Sequence, residues 1–152
     1  MTGPRVFSGM DAVQAAVGTV LGTSEWVIVA QDRVDLFADA TGDHQWIHVD
    51  PVRAAEGPFG TTIAHGYLTL SMIPTFLAET YAVEGISSVL NYGLDSVRFP
   101  HPVRVGSRVR GTVTLETAEK VELGLRIVLK VVVELENVAK PACVATIIHH
   151  LT

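Results

Sequence analysis

The first half of the chain spaces its apolar residues three and four positions apart, which is the period of an amphipathic helix. The clearest case is Gln31 to Ala40, and we expect this helix to end at Thr41-Gly42 because glycine usually follows a helix C-terminus. The same pattern predicts a helix over Met10 to Leu21 and, after it, a short strand over Glu25 to Ala30.

A third helix is predicted over Gly66 to Tyr81, with hardly a charge before Glu79. A helix that is apolar on nearly all sides must be buried. Pro74 removes a backbone hydrogen bond inside this segment, so we expect a kink or a break there.

The second half of the chain alternates instead. Leu123 to Leu135 has an apolar residue at every odd position, which predicts a long strand with one buried face. Similar runs cover Ile86 to Phe99, Ser107 to Ala118 and Pro141 to Leu151. Because these runs exceed the usual strand of ~5 to 6 residues, the sheet should twist strongly, with Gly93 and Gly111 as bend points. The sequence therefore predicts an α+β fold in which a long, curved antiparallel sheet wraps around one buried helix.

Composition narrows the class of protein. The 152 residues suit one domain spanning residues 1–152, and 48% hydrophobic against 18% charged residues excludes a disordered chain. No apolar run approaches the ~18 residues of a membrane span, so no membrane is expected as a partner. A net charge of −5 without clustered Lys or Arg argues against nucleic acid as well.

Cellular location is predicted from two features. Cys143 is the single cysteine, so an intramolecular disulfide framework is impossible. Met1 to Gly9 lacks the pattern of a secretory leader. The expected location is the cytoplasm.

The densest polar cluster runs from Thr41 to Pro51, and Asp43 and His48 lie five positions apart within it. A carboxylate beside an imidazole can hold and deprotonate a water molecule. The residues alone leave three interpretations open: an ordinary capped loop, an acid/base site, and a metal site built on His44 and His48. The metal site is the weakest, because its spacing needs a helix that Gly42 and Pro51 disfavour.

His65-Gly66 stands at the predicted start of the buried helix. Free N–H groups there can bind a carbonyl oxygen that gains negative charge, although an ordinary structural helix start is the alternative. His101, His149 and His150 are expected to be solvated or structural.

These motifs resemble those of the MaoC-like dehydratases, also called hydratase 2 or R-specific enoyl-CoA hydratases. The signature segment here is Phe37-Ala38-Asp39-Ala40-Thr41-Gly42-Asp43-His44-Gln45-Trp46-Ile47-His48. Gln45-Trp46 stand where most of the family has Asn-Pro, and this resembles the nodulation-protein-N-like branch. His65-Gly66 matches the family's His-Gly pair at the start of its central helix.

The resemblance implies a hot-dog fold and a homodimer whose sheets join edge to edge. It implies syn hydration of trans-2-enoyl-CoA to (R)-3-hydroxyacyl-CoA without a metal or redox cofactor. Asp43 and His48 would hold the catalytic water, while the Gly66 N–H, next to His65, would polarise the thioester carbonyl. Several hydratases carry a serine where Pro74 stands here; either Ser71, one turn earlier, substitutes for it or the site lacks that group.

Two alternative functions remain. A hot-dog thioesterase would share the fold but usually presents a carboxylate on the helix, and the nearest here is Glu79, far from Gly66. A non-catalytic acyl-CoA-binding module would bind CoA without turnover. Four arginines are candidates for the CoA phosphates and stay unassigned: Arg53, Arg98, Arg104 and Arg108.

Overall fold

A computed structural model describes residues 3–152. Met1 and Thr2, which begin the segment expected to lack a leader, lie outside the described residues. The elements in chain order are β1 (Arg5–Phe7), α1 (Met10–Ala15), β2 (Val20–Thr23), β3 (Val27–Ile28), α2 (Gln31–Thr41), α3 (Trp46–Val49), α4 (Pro51–Ala55), α5 (Gly66–Ser71), α6 (Ile73–Thr80), β4 (Tyr81–Val83), β5 (Val89–Arg98), β6 (Arg108–Val121), β7 (Gly124–Leu135) and β8 (Val138–Leu151).

Six strands form one antiparallel sheet in the order β2-β6-β7-β8-β5, with β3 also paired to β6. A separate parallel pair joins β1 and β4. Strands β6, β7 and β8 alternate between buried and half-exposed residues along most of their length. The predicted α+β architecture with a long antiparallel sheet is confirmed, because apolar side chains at every second position share one face.

The two glycines predicted as bend points differ in role. The register of β5 against β8 shifts between Asn91 and Gly93, as expected for a bend. Gly111 pairs in regular register with Val133, so no bulge marks a bend there. A Cβ atom at Gly111 would lie 2.8 Å from the Phe76 side chain. Gly111 therefore allows the central helix to approach the sheet closely.

The segment predicted as one buried helix is two helices, α5 and α6, separated at Met72. Pro74 lies in the first turn of α6, where it removes no hydrogen bond, so the predicted break is confirmed. The prediction that this helical segment is buried on nearly all sides is wrong for the single chain. One face packs in the core through Leu68 and Phe76, whereas Tyr67 is 71% exposed on the other.

The first predicted helix is too long. α1 ends at Ala15, Gly18 has a φ of 85°, and Val20 begins a strand that pairs with β6. Backbone hydrogen bonds to a strand nearly a hundred residues away decide this change, and a local pattern cannot contain them. The strand predicted over Glu25 to Ala30 shrinks to Val27–Ile28.

Helix α2 agrees with its prediction and ends before Gly42, which has the left-handed φ of 81°. The helices and the sheet share one hydrophobic core, in which Val13 of α1, Phe76 of α6 and Leu129 of β7 are all buried. Over residues 3–152, no helix has the length and apolar character needed to cross a membrane.

Candidate active site

Asp43 and His48 are positioned by the turn that follows α2. Gly42 reverses the chain direction, Asp43 follows at once, and the Asp43 carboxylate accepts a hydrogen bond from the Gln45 N–H at 3.3 Å. The short helix α3 then carries His48 inward, so part of the segment expected to be a loop is helical. The Asp43 side chain remains 52% exposed, while His48 is 6% exposed. One group of the pair therefore faces solvent and the other faces the core.

The tautomer of His48 follows from its hydrogen bond. His48 Nδ1 lies 2.7 Å from the Ile63 carbonyl oxygen, and a carbonyl can only accept, so Nδ1 carries the hydrogen. In the neutral ring, Nε2 then has a free lone pair. Burial lowers the pKa of His48, and this effect outweighs the raising effect of the Ile63 hydrogen bond. The geometry presents a neutral imidazole that can take up a proton.

His65 completes the cluster. It is 2% exposed, its Nε2 donates to the Asp43 backbone carbonyl at 2.9 Å, and its ring stacks on His48 with centroids 3.8 Å apart. The centroid of the Phe37 ring lies 4.9 Å from that of His65. Asp43, His48 and His65 each offer one potential metal-ligand atom, a carboxylate oxygen or a ring nitrogen, and these atoms all lie within 4.8 Å of one another. The sequence assigned His65 to substrate binding; in the structure it contacts both the Asp43 backbone and the His48 ring.

Gly66 begins α5 directly after His65. A Cβ atom at this position would lie 3.0 to 3.1 Å from the Phe99 ring, so only glycine lets that ring pack so closely over the helix start. The first N–H groups of a helix have no intrahelical acceptor and can bind an oxygen atom. The helix start thus lies beside the Asp43–His48–His65 cluster.

Ser71 lies at the far end of α5 from the cluster. It is five residues beyond Gly66, about 7.5 Å along the helix axis, and lines a cavity of about 240 Å³ together with Pro74. The cavity lies between the central helices and strands β5 and β8. The structure therefore places Ser71 at this cavity and not beside the cluster.

The metal site considered for His44 and His48 does not form in the predicted way. His44 precedes α3 and its Nε2 lies 2.9 Å from the Asp39 carboxylate, which raises the pKa of His44. The two imidazoles therefore do not share a helix face. The group whose spacing suits a metal is instead Asp43, His48 and His65.

Sequence reasoning missed His149. The residue was expected to be structural or solvated, yet it is 5% exposed and lines the same cavity as Ser71. Its odd position, in register with Ile147 and Leu151 on the buried face of β8, was a signal that could have revealed its burial. The other two histidines of that group bond to backbone carbonyls: His101 to Pro102 and His150 to Leu123.

Glu79, on which the thioesterase alternative depends, accepts a hydrogen bond from the Glu25 N–H at 2.9 Å. It lies near the C-terminal end of α6, whereas the cluster lies at the start of α5. The carboxylate and the cluster are therefore at opposite ends of the central helices.

The sequence of this chain is similar to a known protein family and to several named proteins. A family model described as "MaoC like domain" matches residues 12–138. The 3-hydroxyacyl-thioester dehydratase Z of Mycobacterium tuberculosis (strain ATCC 25618 / H37Rv) is 54% identical over 142 residues, which cover 93% of this chain and 94% of that protein. Nodulation protein N of Rhizobium leguminosarum bv. viciae is 48% identical over 136 residues, which cover 88% of this chain and 84% of that protein.

Among solved structures, R-hydratase PhaJ1 of Pseudomonas aeruginosa superposes with a TM-score of 0.72 at 24% identity. The superposition covers 89% of this chain and 81% of that one. At this identity the likeness concerns the fold, and the predicted hot-dog fold is confirmed.

Proposed function

The chain belongs to the MaoC-like dehydratase family, and we propose that it hydrates trans-2-enoyl-CoA to (R)-3-hydroxyacyl-CoA. As a member of that family it is an enzyme of the hydro-lyase type. The observation that carries the proposal is the pairing of the half-exposed Asp43 carboxylate with a buried, neutral His48 at the start of the central helix.

In the proposed reaction, Asp43 accepts a hydrogen bond from the water and aims it at C3 of the substrate. His48 Nε2 removes one proton as the water oxygen bonds to C3, and the electrons of the 2,3 double bond move toward the thioester carbonyl. The Gly66 N–H donates to that oxygen while it carries negative charge. The imidazolium of His48 then returns its proton to C2, which restores both the carbonyl and the neutral base. Because one residue serves both steps, water and proton add to the same face.

His65 is a positioning residue in this scheme. Its Nε2–H holds the Asp43 backbone and its ring supports His48 from one side. Orientation of this kind contributes to rate because small displacements of a catalytic group are costly.

We also propose that the reaction needs neither a metal nor a redox cofactor. The proposed steps move only protons. Exhaustive dialysis against a chelator should leave the rate unchanged, and a rate lost and then restored by added zinc would refute this part of the proposal.

A homodimer is the proposed assembly. Strand β5 ends the sheet, and nearly all of its residues are exposed on both faces, including Leu90, Tyr92 and Leu94. The uncovered face of α5 with Tyr67 lies beside the same edge through the Tyr67–Phe99 contact. A second copy pairing edge to edge would cover these apolar residues and close the sheet edge. Light scattering should give twice the chain mass, and Tyr92→Pro should shift it toward the monomer.

The enzymatic test follows the loss of the conjugated enoyl-thioester absorbance with short and medium trans-2-enoyl-CoA. Asp43→Asn and His48→Ala should each lose at least ~10²-fold in kcat, the contribution expected of an acid/base group. His44→Ala is the matched control, because His44 is a neighbouring histidine bonded to Asp39 outside the cluster. Product stereochemistry is read with an (R)-specific 3-hydroxyacyl-CoA dehydrogenase. An inactive wild type that still binds CoA thioesters would support the binding-module alternative, and release of free CoA would support the thioesterase.

A further inference from the structure

His149 is a polar residue in an apolar row. The buried face of β8 carries it together with Cys143, Ala145, Ile147 and Leu151. Its side chain is 5% exposed, and within residues 3–152 its Nδ1 is buried without a hydrogen-bond partner. Buried polar atoms in native proteins are nearly always hydrogen-bonded, so this atom calls for a partner that the single chain does not supply.

The ring lines two adjoining cavities. One has a volume of about 240 Å³ and the other about 290 Å³, and both are lined by Pro74, Asn91 and His149. Most of the remaining lining is apolar, with Leu70 and Ile147 on the side nearer Gly66. Together the cavities reach the size of a pocket for a small organic ligand, roughly 300 Å³ or more.

Asn91 provides a second polar group at the same place. It is the cross-strand partner of His149 in the antiparallel pairing of β5 with β8. Residues directly opposite each other in such a pair project their side chains to the same face of the sheet. An amide and an imidazole therefore lie side by side in a cavity that is otherwise mostly apolar.

The cavities lie further along the central helices than the proposed reaction site. Phe99, just beyond β5, packs over Gly66 at the start of α5, and β5 residues face Ser71 and Pro74 further along. An acyl chain whose thioester carbonyl lies at Gly66 would enter the first cavity after about 7.5 Å of helix. It would meet Asn91 and His149 beyond that point.

The charge state of His149 restricts the partner. Burial lowers the pKa of His149, so the ring is neutral near pH 7 and offers one donor and one acceptor nitrogen. A hydroxyl group can satisfy either nitrogen, whichever one carries the hydrogen. A hydrocarbon chain can satisfy neither.

We propose that His149 and Asn91 select acyl thioesters whose chain carries a hydroxyl group beyond the reacting carbons. This inference rests on the proposed hydratase function and adds the class of acyl chain. It also explains why a histidine stands where the other residues of the row are apolar.

The test compares ω-hydroxylated trans-2-enoyl-CoA thioesters of medium chain length with their unsubstituted partners. Wild type should favour the best hydroxylated substrate by about tenfold in kcat/KM, the effect of one buried neutral hydrogen bond. His149→Leu should abolish this preference. His150→Leu is the matched control, because the adjacent histidine faces the other side of the sheet and should keep the preference.

Crotonyl-CoA separates this proposal from the proposed function. Its acyl group is too short to reach His149, so the hydration of crotonyl-CoA by wild type tests the proposed function independently of the acyl-chain selectivity. If wild type does not hydrate crotonyl-CoA or any longer substrate, the hydratase proposal fails. The selectivity is then measured by calorimetric binding of saturated ω-hydroxyacyl-CoA and acyl-CoA, with the same tenfold difference expected.

Equal kcat/KM for both substrates in wild type would overturn the inference. A preference for hydroxylated substrates that survives in His149→Leu would also overturn the inference. If that variant also dissociates to monomers, the group that satisfies His149 belongs to a partner subunit. Should His149→Leu not fold, Asn91→Leu on the exposed edge strand replaces it, with the same loss of preference expected.

Discussion

Replacing His65 by phenylalanine should lower activity without lowering stability. Phenylalanine retains an aromatic ring to stack on His48, now 3.8 Å from the His65 ring, but it cannot donate to the Asp43 carbonyl. A neutral hydrogen bond contributes ~0.5 to 1.5 kcal/mol. If losing this hydrogen bond raises the activation free energy by that amount through the positioning of Asp43, kcat falls by roughly two- to tenfold, because each 1.36 kcal/mol corresponds to a factor of ten in rate.

The free energy of unfolding should not fall in His65→Phe. His65 Nδ1 is buried without a partner among the described residues, and an unsatisfied buried polar atom costs ~1 to 3 kcal/mol. His65→Phe removes that atom. The Asp43 segment is exposed enough for water to replace the lost donor. The free energy of unfolding should therefore stay the same or rise by up to about 2 kcal/mol.

The assay pairs steady-state hydration of crotonyl-CoA with urea unfolding of the same preparations. His65→Gln, which restores a side-chain N–H donor, should recover most of the lost kcat. His101→Phe is the matched control, because His101 also bonds to a backbone carbonyl but lies outside the cluster. An unchanged kcat in His65→Phe, or a loss of more than about 1 kcal/mol in unfolding free energy, would refute the reasoning and make His65 a structural residue.

Acidity, core packing and thiol reactivity provide three further tests. The rate should fall in acid, because protonated His48 cannot act as the base. Burial lowers the pKa of His48, so the acid limb of kcat/KM against pH should lie below 6.5. An acid limb above that value would contradict the assignment of His48 as the base. Gly111→Ala should lower the free energy of unfolding in urea by ~1 to 3 kcal/mol, because the new Cβ would lie 2.8 Å from the Phe76 side chain. Gly93→Ala is the control and should lower it less, because its Cβ would have no atom within 4 Å. Burial raises the pKa of the Cys143 thiol to about 11, so mass spectrometry should find it unmodified by iodoacetamide near neutral pH until the protein is unfolded.

Local pattern was sufficient wherever the deciding interactions are themselves local. Helix α2 and its end at Gly42 follow from residues within one or two turns, and the alternation of β7 shows which of its faces is buried. For Asp43 and His48, residue type and spacing made acid/base chemistry one of three interpretations, and the resemblance of the surrounding segment to the MaoC-like dehydratases selected it.

Tertiary structure decided what depends on distant segments. The chain after Ala15 becomes a strand because β6 supplies its hydrogen-bond partners. His65 reaches the Asp43 carbonyl across 22 positions of sequence. His149 is buried because β5 and the central helices cover the same face of β8. Hydrophobic period and residue type constrain each element by itself, but burial and side-chain contacts arise only when elements far apart in the chain pack together.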